Sequence, residues 1–336
     1  MMNFHLYIAA CDEHGGILHY RLGENGIPVF CDSIPLPRPM YFCLNGSQMH
    51  VLLRAPWNGN QNSALCTLDI IPDGSLQGSS DYRSTEGIVA CHLSAVEDMV
   101  YTANYLSGSL TRLSLTSSDI QTVAHTGHSA HPTRQTEAHT HYIAPIPNTE
   151  YLAAVDLGED RIYVYDLKLH LISYVTMPEG CGPRHLAWSE DGRYAYCSCE
   201  LSSEIAVLTY EDGSFTYHER YSTLPLGIRA EDCANTASSI RCYGDIVAVS
   251  NRGHDSVVFY RRTEDGGLQV IGFVPVGGQS PRDFDLVGNF LICTNEKSNT
   301  VTVFRLHIGE DGFSAVMCAE ICDVPSPLCV MACSVC

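Results

Sequence analysis

Lysine is nearly missing from this chain: of 19 basic residues in 336, only Lys168 and Lys297 are lysines, against 38 acidic residues and a formal charge of −19. A surface so poor in cations repels phosphate backbones and anionic headgroups, which excludes nucleic-acid and membrane partners. No window approaches 18 consecutive apolar residues, so no transmembrane helix is expected. The opening MMNFHLYIAACDEHGG has neither the basic n-region nor the apolar h-region of a secretory signal, which makes the cytoplasm the expected location. Helical periodicity is lacking too, and so is any G-x-S-x-G element that would carry a nucleophilic serine. Cysteine, by contrast, is plentiful at 16 residues. Cys197, Cys199, Cys242 and Cys293 sit inside apolar runs, as reduced thiols do when they fill strands as small hydrophobes. Cys329, Cys333 and Cys336 fit no four-ligand zinc spacing.

What the chain does have is repetition. VAVSNRGHDSVVFY, ending at Tyr260, has weaker copies in VYTANYLSGSLTRL, YLAAVDLGEDRIYVY, AYCSCELSSEIAVL and LICTNEKSNTVTVF. Each is an apolar strand, a polar turn holding an acid, amide or arginine, and a second apolar strand. A period of roughly 45 to 50 residues marks radial repetition, because one small sheet can bury its faces only against its neighbours. Runs of Val, Ile, Tyr, Thr and Phe bounded by Gly, Asp, Asn and Ser make the fold class all-β. Inner strands are expected to start near Tyr41, His92, His141, His185, Ile240 and Phe284, and LYIAACDEHGGILHYRL supplies a seventh unit. The expected architecture is a seven-bladed β-propeller in one domain over residues 1–320, followed by an irregular Cys-rich tail over 321–336. Tight turns are expected at 189–193, 243–245 and 287–289, and a blade-linking loop at 117–136. The ring is expected to close by the N-terminal strand pairing beside residues 313–320.

Aligning the copies puts Asn104, Asp156, Cys199, Asn251 and Asn295 at one equivalent place, with Tyr105, Leu157, Glu200, Arg252 and Glu296 next. The starts of the inner strands give a second ring: His92, His141, Arg184 with His185, and Arg282 with Asp283. Equivalent positions in a propeller converge on one funnel around the axis. Asn and Asp in turns also cap their own backbone, which is a rival account of Asn104, Asn295 and Asp283. Glu200 and Arg252 stand apart, since sibling blades carry residues of other charge there. His141 and His185, in equivalent places beside Arg and Glu, suit acid–base or substrate hydrogen-bonding work. His125, His128 and His131 are spaced by three in a loop with no strand or helix to fix ligand geometry, so neither metal nor other cofactor is expected.

Several motifs in order carry a family resemblance. GPRHLAWSEDGRYAY from Gly182, CELSS from Cys199, SNRGHDSV from Ser250 and SPRDF from Ser280 resemble the seven-bladed lactonase family, which includes propeller-type 6-phosphogluconolactonases and eukaryotic carboxymuconate-lactonizing enzymes. ANYLSGSL from Ala103, RQTEAHTHY from Arg134 and VDLGEDRIYVY from Val155 fit the same family. The resemblance implies catalytic residues at His141, Arg184, Glu200 and Arg252, which the repeat alignment had already marked. His185, Asp156, Asn104, Asn251 and Arg282 from the two rings are the candidates for substrate binding. Cys199 stands where the family usually has Asn, Ser239 where Asp is common, and LLRAPWNGN from Leu52 replaces the usual Asn-Glu turn.

Hydrolysing a lactone needs an activated water and a held oxyanion, and a phosphorylated substrate also needs a grip on phosphate. His141 and Glu200 supply a base and its partner, and guanidinium groups at 184 and 252 supply forked, permanently charged donors. Without a nucleophile elbow, direct attack by water is expected. The resemblance implies hydrolysis of 6-phospho-D-glucono-1,5-lactone in the pentose phosphate pathway, and a monomer is expected. Two other readings stand beside it: a cycloisomerase acting on a muconate-like diacid, and a non-catalytic propeller that binds a partner on its rim.

Overall fold

The computed structural model describes residues 4–54, 59, 61–78, 81–309 and 312–334. Burial follows the place of each strand in its blade. Inner and middle strands such as Tyr151–Asp156 are covered on both faces by adjacent blades and are buried almost throughout. Outermost strands such as Ile120–Ala124 alternate between exposed and half-buried positions, as one solvated face requires.

Seven antiparallel sheets form the ring, six of four strands and one of five. Blade 1 holds Phe4–Ala10, Gly16–Leu22 and Pro28–Pro35, and blade 2 runs from Pro39–Asn45 through Gln48–Leu53 and Ala64–Ile70 to a split outer edge at Leu76–Gln77 and Arg83–Ser84. The innermost strands of blades 3 to 7 are Ala90–Val96, Thr140–Pro145, Pro183–Trp188, Thr236–Tyr243 and Pro281–Val287. The expected tight turns at 243–245 and 287–289 are present, with Gly244 and Gly288 in the left-handed region at φ +60° and +57°. Residues 55–58 and 60 of the divergent LLRAPWNGN segment, and Cys336 of the tail, lie outside the described residues.

Ring closure departs from the sequence expectation. Residues 313–320 lie in Phe313–Ile321, the outer strand of blade 7, and the N-terminal strand does not join them. It pairs with Pro327–Ser334, which is the innermost strand of blade 1. The segment expected to be an irregular tail is therefore structural at its core. Leu328, Cys329 and Val330 are buried, so the cysteine-rich composition reflects small apolar residues filling the centre of the ring.

A register break recurs at the start of every innermost strand. One extra residue bulges out of each ladder: Leu328, Met40, Cys91, His141, Arg184, one of the pair Ser238 and Ser239 that together face Ser250, and Arg282. Bulges release a side chain from strand alternation and re-aim it, and here they do so at the channel. The resulting ring is apolar on blades 1 to 3 and polar on blades 4 to 7.

Candidate active site

Five of the bulged residues, Met40, Cys91, Arg184, Arg282 and Leu328, line one narrow cavity together with Tyr41, His185 and Asp283. Above it sits the residue that follows each middle strand. Its backbone N–H bonds back to the entry of the innermost strand, as in Tyr105 to Val89 O at 3.0 Å, Glu200 to Gly182 O at 2.7 Å and Glu296 to Ser280 O at 3.0 Å. This shared bond makes Tyr105, Leu157, Glu200 and Glu296 equivalent in space, as the repeat alignment has them.

Glu200 is the hub. Its Oε2 accepts from Arg184 Nε at 3.1 Å and lies 2.8 Å from Arg252 Nη2, while its Oε1 accepts from Arg134 Nη2 at 2.6 Å. Arg134 also donates to the Tyr105 hydroxyl at 3.2 Å. Burial works against the charge of Glu200, but Arg252 and Arg184 hold its carboxyl well below the usual carboxylate range. Arg184 is itself pushed down to about 9, chiefly by burial and then by Arg252. Three guanidinium groups facing one carboxylate leave an excess of two positive charges. Arg184 Nη1 and Arg252 Nε are buried and have no protein hydrogen-bond partner.

Beside this cluster lies a group of imidazoles. The His141 ring is 5.1 Å from His185 and 5.5 Å from Tyr105, and His185 is 5.1 Å from His92. Tyr41 and Tyr142 pack against His92 at 4.6 and 4.4 Å. Burial, reinforced by Arg184, holds His141 and His185 well below the ordinary histidine value. His92 is pushed down to about 3, by burial first and then by Arg241 and Arg184. These rings are therefore neutral at physiological pH. His141 Nδ1 and His185 Nε2 have no protein partner.

Six of the nine expected site residues thus come together: His141, Glu200, Arg184, Arg252, His185 and Arg282, the last 3.4 Å from Glu296. The other three do not, and the expectation that they bind substrate is corrected. Asp156 is fully buried and accepts backbone N–H groups from His139, Gly158 and Glu159 at 2.8 to 3.1 Å. Asn104 donates to Thr111 and Ser109 at 2.9 and 3.2 Å, and Asn251 bonds Thr223 through both ends of its amide at 2.7 Å. Asp156 and Asn104 bond groups of their own blades, and Asn251 ties its turn to Thr223, which follows the outer strand of blade 5.

Sequence reasoning left Arg134 and Arg241 out of the site, and placed Tyr105 in the repeat ring without giving it a role. Arg134 comes from the loop between blades 3 and 4, outside the repeat, and its one signal was its place in RQTEAHTHY. Arg241, on the innermost strand of blade 6, bonds Asp283 at 2.8 Å and Ser239 at 2.7 Å. Ser239 in turn donates to Asp283 at 2.6 Å, so it completes a bridge where an acid would have stood.

The three loop histidines do not assemble. His125 is buried, with Nδ1 2.7 Å from Asp156 and Nε2 2.9 Å from the Tyr165 hydroxyl, while His128 is exposed and His131 Nδ1 accepts from Arg134 N at 3.2 Å. Glu159 Oε2 lies 3.7 Å from the same His125 nitrogen and accepts from Tyr163 at 2.6 Å.

The fold and site together make a seven-bladed β-propeller with an arginine-clasped carboxylate and a group of buried imidazoles at its mouth. The sequence profile described as "Lactonase, 7-bladed beta-propeller" matches residues 5–332, and the chain belongs to that family. The 6-phosphogluconolactonase of Bacillus subtilis strain 168 is 34% identical over 266 residues, 74% of this chain and 75% of that one. A solved structure of a protein from Lactobacillus plantarum has a TM-score of 0.87 at 27% identity, over 99% of this chain and 100% of that one. The Pseudomonas aeruginosa periplasmic gluconolactonase shares the fold, with a TM-score of 0.88 at 24% identity over 99% of each chain. Family membership and the Bacillus relative support lactone hydrolysis on a small-molecule substrate. Among the described residues no helix is long and apolar enough to cross a membrane.

Proposed function

We propose that the protein hydrolyses an anionic sugar lactone, 6-phosphogluconolactone, by direct attack of water. The observation that carries this reading is the pair of unpartnered buried guanidinium donors, Arg184 Nη1 and Arg252 Nε, beside a neutral His141 and an excess of two positive charges. In a chain of charge −19, such a cluster selects an anion.

Glu200 is a poor base, because the arginines hold it ionised; its work is to fix their orientation. The neutral imidazole of His141 takes the proton from water as the oxygen attacks the lactone carbonyl. Arg184 and Arg252 donate to the oxyanion that forms. Collapse of the tetrahedral intermediate breaks the bond from the carbonyl carbon to the ring oxygen, which takes the proton back from His141 and leaves as a hydroxyl. On this reading the protein acts as a monomer in the cytoplasmic pentose phosphate pathway; the Bacillus relative's name supports the substrate.

A pH-stat assay on a panel of phosphorylated lactones, plain lactones and a muconate-type diacid tests the reading. Acid release from 6-phosphogluconolactone, lost in His141→Ala, is the expected result. Turnover of the diacid alone would replace hydrolysis by cycloisomerisation, and no turnover on any member would leave a binding propeller.

A further inference from the structure

Next to Arg252 lies a second cavity, of about 320 Å³, whose other polar groups the hydrolytic steps leave unused. It opens where the turn after Ile246–Arg252 meets the entry to blade 7. Its walls are fixed: Asp255 Oδ1 accepts from Gly253 N at 3.1 Å and from Ser280 N at 2.7 Å, tying blade 6 to blade 7. Gly253 itself has φ +115°, and a Cβ there would stand 2.5 Å from the Cys233 carbonyl oxygen.

The acids on this wall are engaged, Asp255 with those two amides and Glu296 with Arg282 at 3.4 Å. Among the described residues, the Lys297 ammonium, the Gln279 amide and the Ser280 hydroxyl have no protein partner, and all three line the cavity. Each is a hydrogen-bond donor. Lys297 is one of only two lysines in a chain of charge −19, and its exposed side chain lines the cavity together with the Arg252 guanidinium, beside Asp255 and Glu296. Arg252 belongs to both places: its Nη2 is 2.8 Å from Glu200, and it lines this cavity. Arg252 thus joins the hydrolytic cluster to this cavity.

We propose that this cavity seats the phosphate of a phosphorylated aldonolactone, with Lys297 as the residue that favours phosphorylated over plain substrates. The proposal rests on the lactonase reading above and adds the source of its specificity. An ammonium is a compact charge with three rotatable donors, which suits a phosphate that also receives a hydroxyl and an amide.

The test uses the full chain, wild type, Lys297→Met and Lys297→Arg. The ratio of kcat/KM on 6-phosphogluconolactone to that on gluconolactone is expected to fall at least tenfold in Lys297→Met, mainly through KM, and to return within about threefold of wild type in Lys297→Arg. An unchanged ratio in Lys297→Met would overturn the proposal. A binding arm is independent of turnover: calorimetric titration with 6-phosphogluconate and gluconate. If the chain hydrolyses no lactone, the lactonase reading fails, and this arm still judges the cavity. Preference for the phosphorylated acid, lost in Lys297→Met, supports it; equal binding of the two acids by wild type, or a preference that survives the substitution, sinks it.

Discussion

Two arginines share one oxygen of Glu200, and each keeps a buried N–H that no protein group accepts. Leaving such donors dry costs free energy unless a ligand completes them, so their value lies in the bound state. Replacing Arg184 or Arg252 by Ala is therefore expected to lower kcat/KM by about a hundredfold or more. Lys at either position restores only part, because it lacks the second, forked donor. Steady-state kinetics on 6-phosphogluconolactone check this, and wild-type values in either Ala variant would assign that arginine to structure alone. Glu200 and Arg252 were legible in the sequence because charge varies at their place while the rest of the repeat does not. Asp156, Asn104 and Asn251 were misread for a related reason: repetition marks two successive positions and does not say which one turns inward. The structure separates them by hydrogen bonding, the first closing its own turn and the second facing the mouth. Arg134 was hidden because a loop between repeats has no sibling to compare with.

At the level of the strand, the bulges convert a repeating ladder into a ring of individually aimed side chains, and the inner strands bury His92, His141 and His185 as neutral rings. The strands themselves were legible from β-branched and aromatic runs. The closing strand was not, because Pro327–Ser334 lies outside the repeat and its cysteines resemble a tail. Its place is fixed by blade 7, whose Asp283 and Asp285 accept N–H groups from Val330 at 3.1 Å and Ala332 at 2.7 Å. The buried imidazoles have a consequence for stability. A histidine whose folded value is lowered binds its proton more readily in the unfolded chain, so its contribution is present above the unfolded value of about 6.5 and declines as pH falls below it. For His92 the window runs from there down to about 3. The stability difference between wild type and His92→Phe, measured by urea unfolding, is expected to move against wild type by about 1.4 kcal/mol per pH unit inside that window. A pH-independent difference would mean that His92 keeps its ordinary affinity for protons.

Across the whole molecule, a charge of −19 surrounds a mouth that carries two excess positive charges, and this contrast bears on metals and thiols alike. A cation entering the channel meets Arg134, Arg184 and Arg252, which occupy both oxygens of Glu200, while Glu296 at the same level is paired with Arg282. The buried His125, Asp156 and Glu159 are close enough to share one ion, yet both nitrogens of His125 are engaged by Asp156 and Tyr165. Cys197, Cys293 and Cys329 are buried within strands, while Cys31, on an outer strand, and Cys322, just after one, are exposed and do not line the cavity of the site. Lactone hydrolysis is therefore expected to survive exhaustive chelation with EDTA and mild alkylation of exposed thiols, and to be lost in Glu200→Gln, which removes the charge that holds three arginines in place. Activity that disappears on chelation and returns with calcium or zinc would overturn a mechanism built on arginine and histidine, and loss on alkylation would place a thiol in it.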